Sequence, residues 1–218
     1  RGITSLDRMS NLKNLPKFLA WFLSEGHIYK NCIGISQSLK SPHNETIVKV
    51  IKDCQFNYVR KISKQNEINY NIFHKPLTMW LAKHCYSSQN KNAITKKIPQ
   101  YVKDSSINTI RIFLNEFIKG DGFIHKGENN YCTSSNIMAD DILELIYKTG
   151  KYGGKRIKSL KGSIGNIQGR KIIRTSNHYR VWENKNSNFT IYPKDISEST
   201  DNVYDIKINS PTRLFMTR

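Results

Sequence analysis

Two segments of this chain share one grammar, and that repetition limits the fold more than any other feature. LPKFLAWFLSEGHIY (residues 15–29) carries Phe18, Leu19, Phe22 and Leu23 at helical spacing, with Pro16 suited to a first turn. IRIFLNEFIKGDGFIHK (110–126) continues a stripe of Ile107, Ile110, Phe113, Leu114, Phe117 and Ile118, with Ser105 or Ser106 as the cap and Gly120 or Gly122 as the stop. Each greasy run ends in an acid beside glycine, Ser24-Glu25-Gly26 and Gly120-Asp121-Gly122, and then turns strand-like. A carboxylate is poorly placed at a helix C-terminus, where the carbonyls already carry partial negative charge. The chain does this twice, 96 positions apart, which favours a role involving a cation over two chance exposed termini.

The segments downstream of the two copies also match in outline. After the first come extended residues 27–37, a helix over 44–54, strands over 56–63 and 67–73, and a helix from Pro76 toward Tyr86. After the second come extended residues 123–133, a helix over 135–149 ended by Gly150, and strands over 155–160, 170–174, 179–183 and 203–208. The polar stretch 87–105, with Pro99, reads as the joint. The pattern predicts an α+β (mixed α/β) fold of two pseudo-symmetric lobes, 1–95 and 96–218.

Charge points to the partner. Among 218 residues, Lys and Arg total 35 against 17 Asp and Glu, a net +18 spread along the whole chain. Such an excess favours a polyanion, because each neutralised phosphate releases a counterion. In 67–73, Ile68, Tyr70 and Ile72 alternate with Glu67, Asn69 and Asn71, as in a half-buried antiparallel sheet. A twisted ribbon bearing Asn, Gln, Lys and Arg fits a DNA major groove. The candidate DNA contacts are Lys30, Gln37, Arg60, Lys61, Asn69, Asn71, Lys126, Arg156, Lys158, Arg174 and Arg180.

The acids suggest chemistry. Ala20 and Ser24 lie four apart on one helix face, and Gly120 answers Ser24 in the second helix. Small residues there allow a close, parallel crossing that sets Glu25 and Asp121 side by side at the helix ends. The pair repels itself and both carbonyl termini, and a hard divalent cation removes that cost. The expected metal set is Glu25, Asp121, Gly120 and Ser24, with Mg²⁺ as cofactor and Mn²⁺ or Ca²⁺ as substitutes for binding. Such a site can activate water and stabilise the leaving oxygen of a phosphodiester.

At these residues the chain resembles the LAGLIDADG homing endonucleases, in the dodecapeptide branch of inteins and introns. FLAWFLSEG (18–26) and LNEFIKGDG (114–122) stand where two family signatures belong, and the signature acid maps onto Glu25 and Asp121. Lys96-Lys97-Ile98-Pro99 matches the family's K-x-I-P element, which puts a catalytic lysine at Lys96. YCTSSNIMADDILELIYKTG (131–150) is similar to the strand-then-helix segment after the second signature. The resemblance implies two αββαββα halves, a saddle of antiparallel sheets over double-stranded DNA, and Mg²⁺-dependent cleavage of both strands at a long degenerate site by a monomer. A maturase acting on intron RNA, or a non-cleaving DNA-binding protein on the same scaffold, is the alternative.

The chain departs from the family at the third signature position, usually Gly, which is Ala20 in one helix and Glu116 in the other. A buried Glu116 needs a cationic partner or a wider crossing. The second-half counterpart of Lys96 is sought among Lys171, Lys185 and Lys194, with Lys194 preferred. The ending resembles an intein's closing strands but lacks the His-Asn terminus. No nucleophile opens the chain, and Arg1 suggests a processed or trimmed start. A free-standing or intron-encoded enzyme is expected, not a self-splicing one.

Other classes find little support. No apolar run reaches membrane-span length and no signal-peptide pattern opens the chain, so an intracellular protein is expected. Cys32, Cys54, Cys85 and Cys132 form no C-x-x-C pair, which argues against zinc and a disulfide framework. The glycines at 162 and 165 have no Walker lysine after them. His27 and His125, close after the acids, are read as DNA or phosphate contacts or plain surface. Trp21 and Trp80 are read as core, and Trp182 can face either way.

Overall fold

Pro16 near the first turn and a dense apolar run start helix α1 (Leu15–Glu25), which stops where Gly26 turns extended at φ −93°, ψ 158°. Phe18 through Leu23 are all fully buried. A helix that is apolar on every side belongs in the middle of a fold, and α1 is the central element here. The computed structural model describes residues 14–167 and 170–184, which all fall within one compact unit.

From α1 the chain passes into β1 (Gly26–Tyr29), β2 (Cys32–Ser38), α2 (Asn44–Asp53), β3 (Tyr58–Ile62), β4 (Glu67–Ile72) and α3 (Lys75–His84). A 3₁₀ turn at Ala93–Thr95 and short α4 (Gln100–Lys103) occupy the joint. The pattern then restarts with α5 (Ile107–Asp121), β5 (Gly122–His125), β6 (Glu128–Thr133), α6 (Asn136–Lys148), β7 (Gly153–Ser159), β8 (Ile164–Ile167), β9 (Arg170–Ile173) and β10 (His178–Glu183). The two four-stranded sheets have orders β1-β2-β4-β3 and β5-β6-β10-β7. Every ladder is antiparallel. The second order reproduces the first, with β7 and β10 in the places of β3 and β4. The fold is therefore α+β with two pseudo-symmetric sheets, as the sequence predicts.

Four elements differ from the sequence reading. Residues 27–37 and 123–133 are each a hairpin and not one extended run, because Lys30 (φ 54°) and Lys126 (φ 52°) take the left-handed conformation that reverses the chain. Residues 170–174 do not join the main sheet; β9 pairs with β8 in a separate two-stranded ribbon. Asp121 is the last residue of α5 and does not lie beyond it. The expected strand at 203–208 lies outside the described residues.

Each sheet buries one face against helices. In the first, Ile33, Ile35, Ile68, Tyr70 and Ile72 point into the core, and in the second Tyr131 and Val181 do. Burying each such side chain contributes roughly 1.5–3 kcal/mol. The alternation leaves Gly34, Ser36, Asn69, Asn71 and Lys61 on the open face of the first sheet. On the second it leaves Phe123, Cys132, Arg156, Arg180 and Trp182, with Asn130 on the same side but fully buried against Arg180.

Candidate functional site at the crossing of two helix ends

Helices α1 and α5 meet at their C-terminal turns. A Cβ built on Gly120 would lie 2.3 Å from Ser24 Oγ and 3.3 Å from Glu25 Cγ, so only glycine admits this approach. Gly122 serves the neighbouring turn: its Cβ would fall 2.7 Å from the Asn130 carbonyl oxygen. Neither position has a positive φ, so the glycines flanking Asp121 serve close packing and do not act as left-handed caps. The Ser24 hydroxyl donates within its own helix to the Ala20 carbonyl at 3.0 Å.

Glu116 sits in the same crossing and is satisfied. It accepts from the Trp21 indole Nε1 of the facing helix at 3.0 Å and from Lys119 Nζ one turn on at 2.8 Å. The cationic partner required of this carboxylate is thus Lys119, and Trp21, though core, also donates a hydrogen bond across the helix pair.

Asp121 and Glu25 end the two helices. Burial, with the Glu25 charge second, pushes the Asp121 carboxyl up to about 7 against the pull of Lys96. Burial also raises Glu25, opposed by Gln37, whose Nε2 donates to Glu25 Oε1 at 3.3 Å, and by Lys96. Lys96 is buried, and its Nζ donates to the carbonyls of Leu23 at 2.9 Å and Phe22 at 3.3 Å. The Leu23 carbonyl is a last-turn acceptor without a partner in its own helix, whereas the Phe22 carbonyl also accepts from the Gly26 N–H. Desolvation brings the Lys96 ammonium down to about 8, with Asp121 and Glu25 acting to raise it.

The segment carrying Lys96 is clamped from both sides. The Lys97 N–H donates to the Cys85 carbonyl at 2.9 Å. Ser135, the N-cap of α6, donates its hydroxyl to the Lys96 carbonyl at 2.6 Å. Buried Asp141 accepts from the Ile98 N–H at 2.8 Å and is paired with Lys103. Pro99 then opens α4. The K-x-I-P spacing is thereby explained: Ile98 and Pro99 anchor the loop so that Lys96 projects onto the helix ends.

A cavity of about 110 Å³ opens beside Asp121, lined by Ser24, Lys96, Cys132, Thr133 and His178 among others. Sequence reasoning missed Thr133 and His178. Gln37, by contrast, is expected as a DNA contact but sits against Glu25. Its partner in the ladder is Ile68, and Thr133 occupies the pseudo-equivalent place opposite Tyr179 in the second sheet. That repeat of register was the signal available for Thr133.

The remaining candidates divide by position. Lys30 and Lys126 cap equivalent hairpins. Lys61, Asn69 and Asn71 share the first open face, where Asn69 meets Ser36 at 3.0 Å and the His27 ring covers Gly34. On the second, Arg180 donates to Asn130 at 2.7 Å, and both Arg180 and Lys158 lie over the Phe123 ring. Trp182 lies on this face too, its ring against Gly154. Arg60 does not join its neighbours: it pairs with Tyr70 and lines a groove with Asn44 and Val48 on the helix side. Arg174 and Lys171 lie in the β8–β9 ribbon. Lys185 and Lys194 lie outside the described residues.

No protein-family model matches the sequence. Among solved structures, variants of the homing endonuclease I-DmoI superpose with a TM-score of 0.52 over 80% of this chain and 85% of that one, at 8% identity. I-DmoI in complex with its target DNA in the presence of Mg gives 0.52 over 82% and 91% at 10% identity. The complex with DNA and Mn gives 0.51 over 80% and 91%, also at 10%. This is the LAGLIDADG fold. In this chain the two acids end pseudo-equivalent helices, and the charge of each acts on one buried lysine, Lys96.

The donor set can be tested against a divalent cation. No cluster of three or more His, Cys, Asp or Glu suited to a metal occurs among the described residues. The site offers two carboxylates and the last-turn carbonyls at Ser24 and Gly120. Such an all-oxygen, ligand-poor set fits Mg²⁺, which keeps several waters and completes its shell with substrate phosphate.

The strained acid pair sets a pH dependence. The folded-state pKa of Asp121 is raised from 3.8 to about 7, so in that window the folded protein holds a proton that the unfolded chain has released. Stability from this group is therefore lost as pH rises through it. In EDTA, the melting temperature of the wild type relative to Asp121→Asn is expected to fall between pH 4 and pH 7.5 and then level off. A difference that stays flat across that range would show that Asp121 is not held in this environment.

Proposed function

We propose that this chain is a site-specific double-strand DNA endonuclease that hydrolyses phosphodiester bonds with Mg²⁺ at a long, degenerate target. The observation that carries the reading is the meeting of Glu25, Asp121 and buried Lys96 at the ends of two packed helices. The net charge of +18, the polar open faces of both sheets and the fold shared with DNA-bound I-DmoI support duplex DNA as the partner.

Glu25 and Asp121, with the carbonyls of Ser24 and Gly120, would hold the cation, which supplies water activation and neutralises charge at the scissile phosphate. The protein's own residues do the rest. Lys96 sits where its ammonium balances negative charge developing beside the acids, and its carbonyl partners keep it in place until phosphate arrives. Gln37 orients Glu25. The open faces, with Asn69, Asn71, Lys61, Arg156 and Arg180, carry the amide and cationic groups that pair with base edges and phosphates. The first αββαββα pattern closes at His84, and the halves divide at 95–96 within the joint that follows.

The test is incubation of the protein with a randomised duplex library and Mg²⁺, followed by sequencing of the new ends. A recurrent sequence around a fixed cut is expected. Tight duplex binding without new ends would instead identify a non-cleaving DNA-binding protein, and selective capture of structured RNA a maturase.

A further inference from the structure

The second half carries an element the first lacks. β3 and β4 are joined by residues 63–66, whereas between β7 and β10 the chain builds the ribbon β8–β9. That ribbon pairs only within itself among the described strands, with Ile164 opposite Ile173 and Asn166 opposite Lys171. Two-stranded ribbons are marginal alone in water. This one nevertheless exposes a cross-strand pair, Ile164 at 71% and Ile173 at 69%, on the same face as Asn166 and Lys171.

The charge around it is one-sided. Residues 145–182 contain ten Lys and Arg and no Asp or Glu. Within that stretch the ion pairs found among the described residues use Lys148 and Lys155, both at the helix α6 side. Lys158, Lys161, Lys171 and Arg174 enter none of them. The Arg174 guanidinium lies across Gly165, about 3.0 Å from where a Cβ would stand, so bare backbone makes room for it on the other face of the ribbon. A cluster of uncompensated cations repels itself unless a polyanion lies against it.

We infer that the β8–β9 ribbon is an arm that lies along duplex DNA beyond the stretch covered by the second sheet. The inference rests on the DNA endonuclease reading and adds to it a one-sided extension of the contact. Lys161 and Lys171 meet backbone phosphates, Ile164 and Ile173 rest against the sugar edge, and Arg174 adds positive field from the other face. A four-residue strand spans about 13 Å, or about 4 base pairs of duplex. The first half ends in a short turn at the equivalent place, so the bound site is longer on the second-half side.

The test uses the full chain with random-sequence duplexes of graded length and needs no knowledge of the target. Two variants are compared with the wild type. One is the triple substitution Lys161→Gln, Lys171→Gln, Arg174→Gln, which keeps the ribbon. The other replaces residues 160–177 by the residues 63–66 turn. For the triple variant, the slope of log affinity against log salt is expected to fall by about 2–3. For the turn replacement, the shortest duplex that gives full affinity should shrink by about 4 base pairs. A wild-type salt slope in the folded triple variant, or a wild-type length limit in the turn replacement, would overturn the arm while leaving the endonuclease reading intact. If the wild type binds no duplex even at low salt, the endonuclease reading itself fails, and the arm with it.

Discussion

Asp121→Asn is expected to lower DNA cleavage by on the order of 10³-fold or more while leaving duplex affinity within about twofold. The substitution keeps the volume and the hydrogen-bonding shape of the side chain and deletes the charge. That charge is costly in the free protein: burial, then the neighbouring Glu25, push the Asp121 carboxyl up to about 7. Removing it should therefore raise the melting temperature at pH 7.5 in EDTA, even as cleavage disappears. A variant that is more stable, binds as well and does not cut is the signature of a group maintained for catalysis at the expense of the fold. Glu25→Gln should act alike, with a smaller gain in stability, because Gln37 already offsets part of its burial. If both variants cut at the wild-type rate, neither acid holds the reacting phosphate and the proposed function is lost.

Most of this architecture is written in short-range patterns. The duplicated stripe from Phe18 to Leu23 and from Ile107 to Ile118 predicts two core helices, and both form, although Ile107 at the start of the second is half exposed. The alternation of Ile68, Tyr70 and Ile72 predicts which face of the sheet is buried, and all three are buried. What the sequence does not reveal are features that depend on register between remote strands. Gln37 and Arg60 look like neighbours of Asn69 on one polar ribbon. In the ladder, Gln37 falls opposite Ile68 and Arg60 opposite Tyr70, which turns both toward the helices. A period of two fixes faces only once the register is known.

The hairpins went unread for a different reason. Lys30 and Lys126 reverse the chain at positive φ, a conformation usually given to Asn or Gly, and the turn signals stand one residue later, at Asn31 and at Gly127, itself at φ 80°. Glu116 is the opposite case. An acid at a tight crossing reads as a defect until Trp21 and Lys119 are seen to satisfy it. His178 and Thr133 reach the cavity beside Asp121 only through the β6–β10 pairing, which joins residues about fifty positions apart and has no local signature.

The crossing itself makes a prediction of comparable size. Gly120→Ala would put a Cβ 2.3 Å from Ser24 Oγ and 2.7 Å from Ser24 Cβ, closer than real Cβ contacts come. Helices α1 and α5 must then separate. The expected cost is about 1–3 kcal/mol of stability from overpacking. Cleavage should fall by about 10²-fold, because a shift near 1 Å between the two acids spoils their shared geometry. The decisive comparison is the exchange of small residues across the interface. Ser24→Gly alone removes only a hydroxymethyl that bonds within its own helix. Combined with Gly120→Ala it reopens the space the new methyl needs, so the double variant should recover most of the stability and activity lost by Gly120→Ala. Residues in contact give such non-additive cycles, whereas independent sites simply add. Additive losses in urea unfolding and in cleavage rate would mean that the Ser24–Gly120 contact does not set the distance between Glu25 and Asp121, and the geometric basis of the proposed site would have to be abandoned.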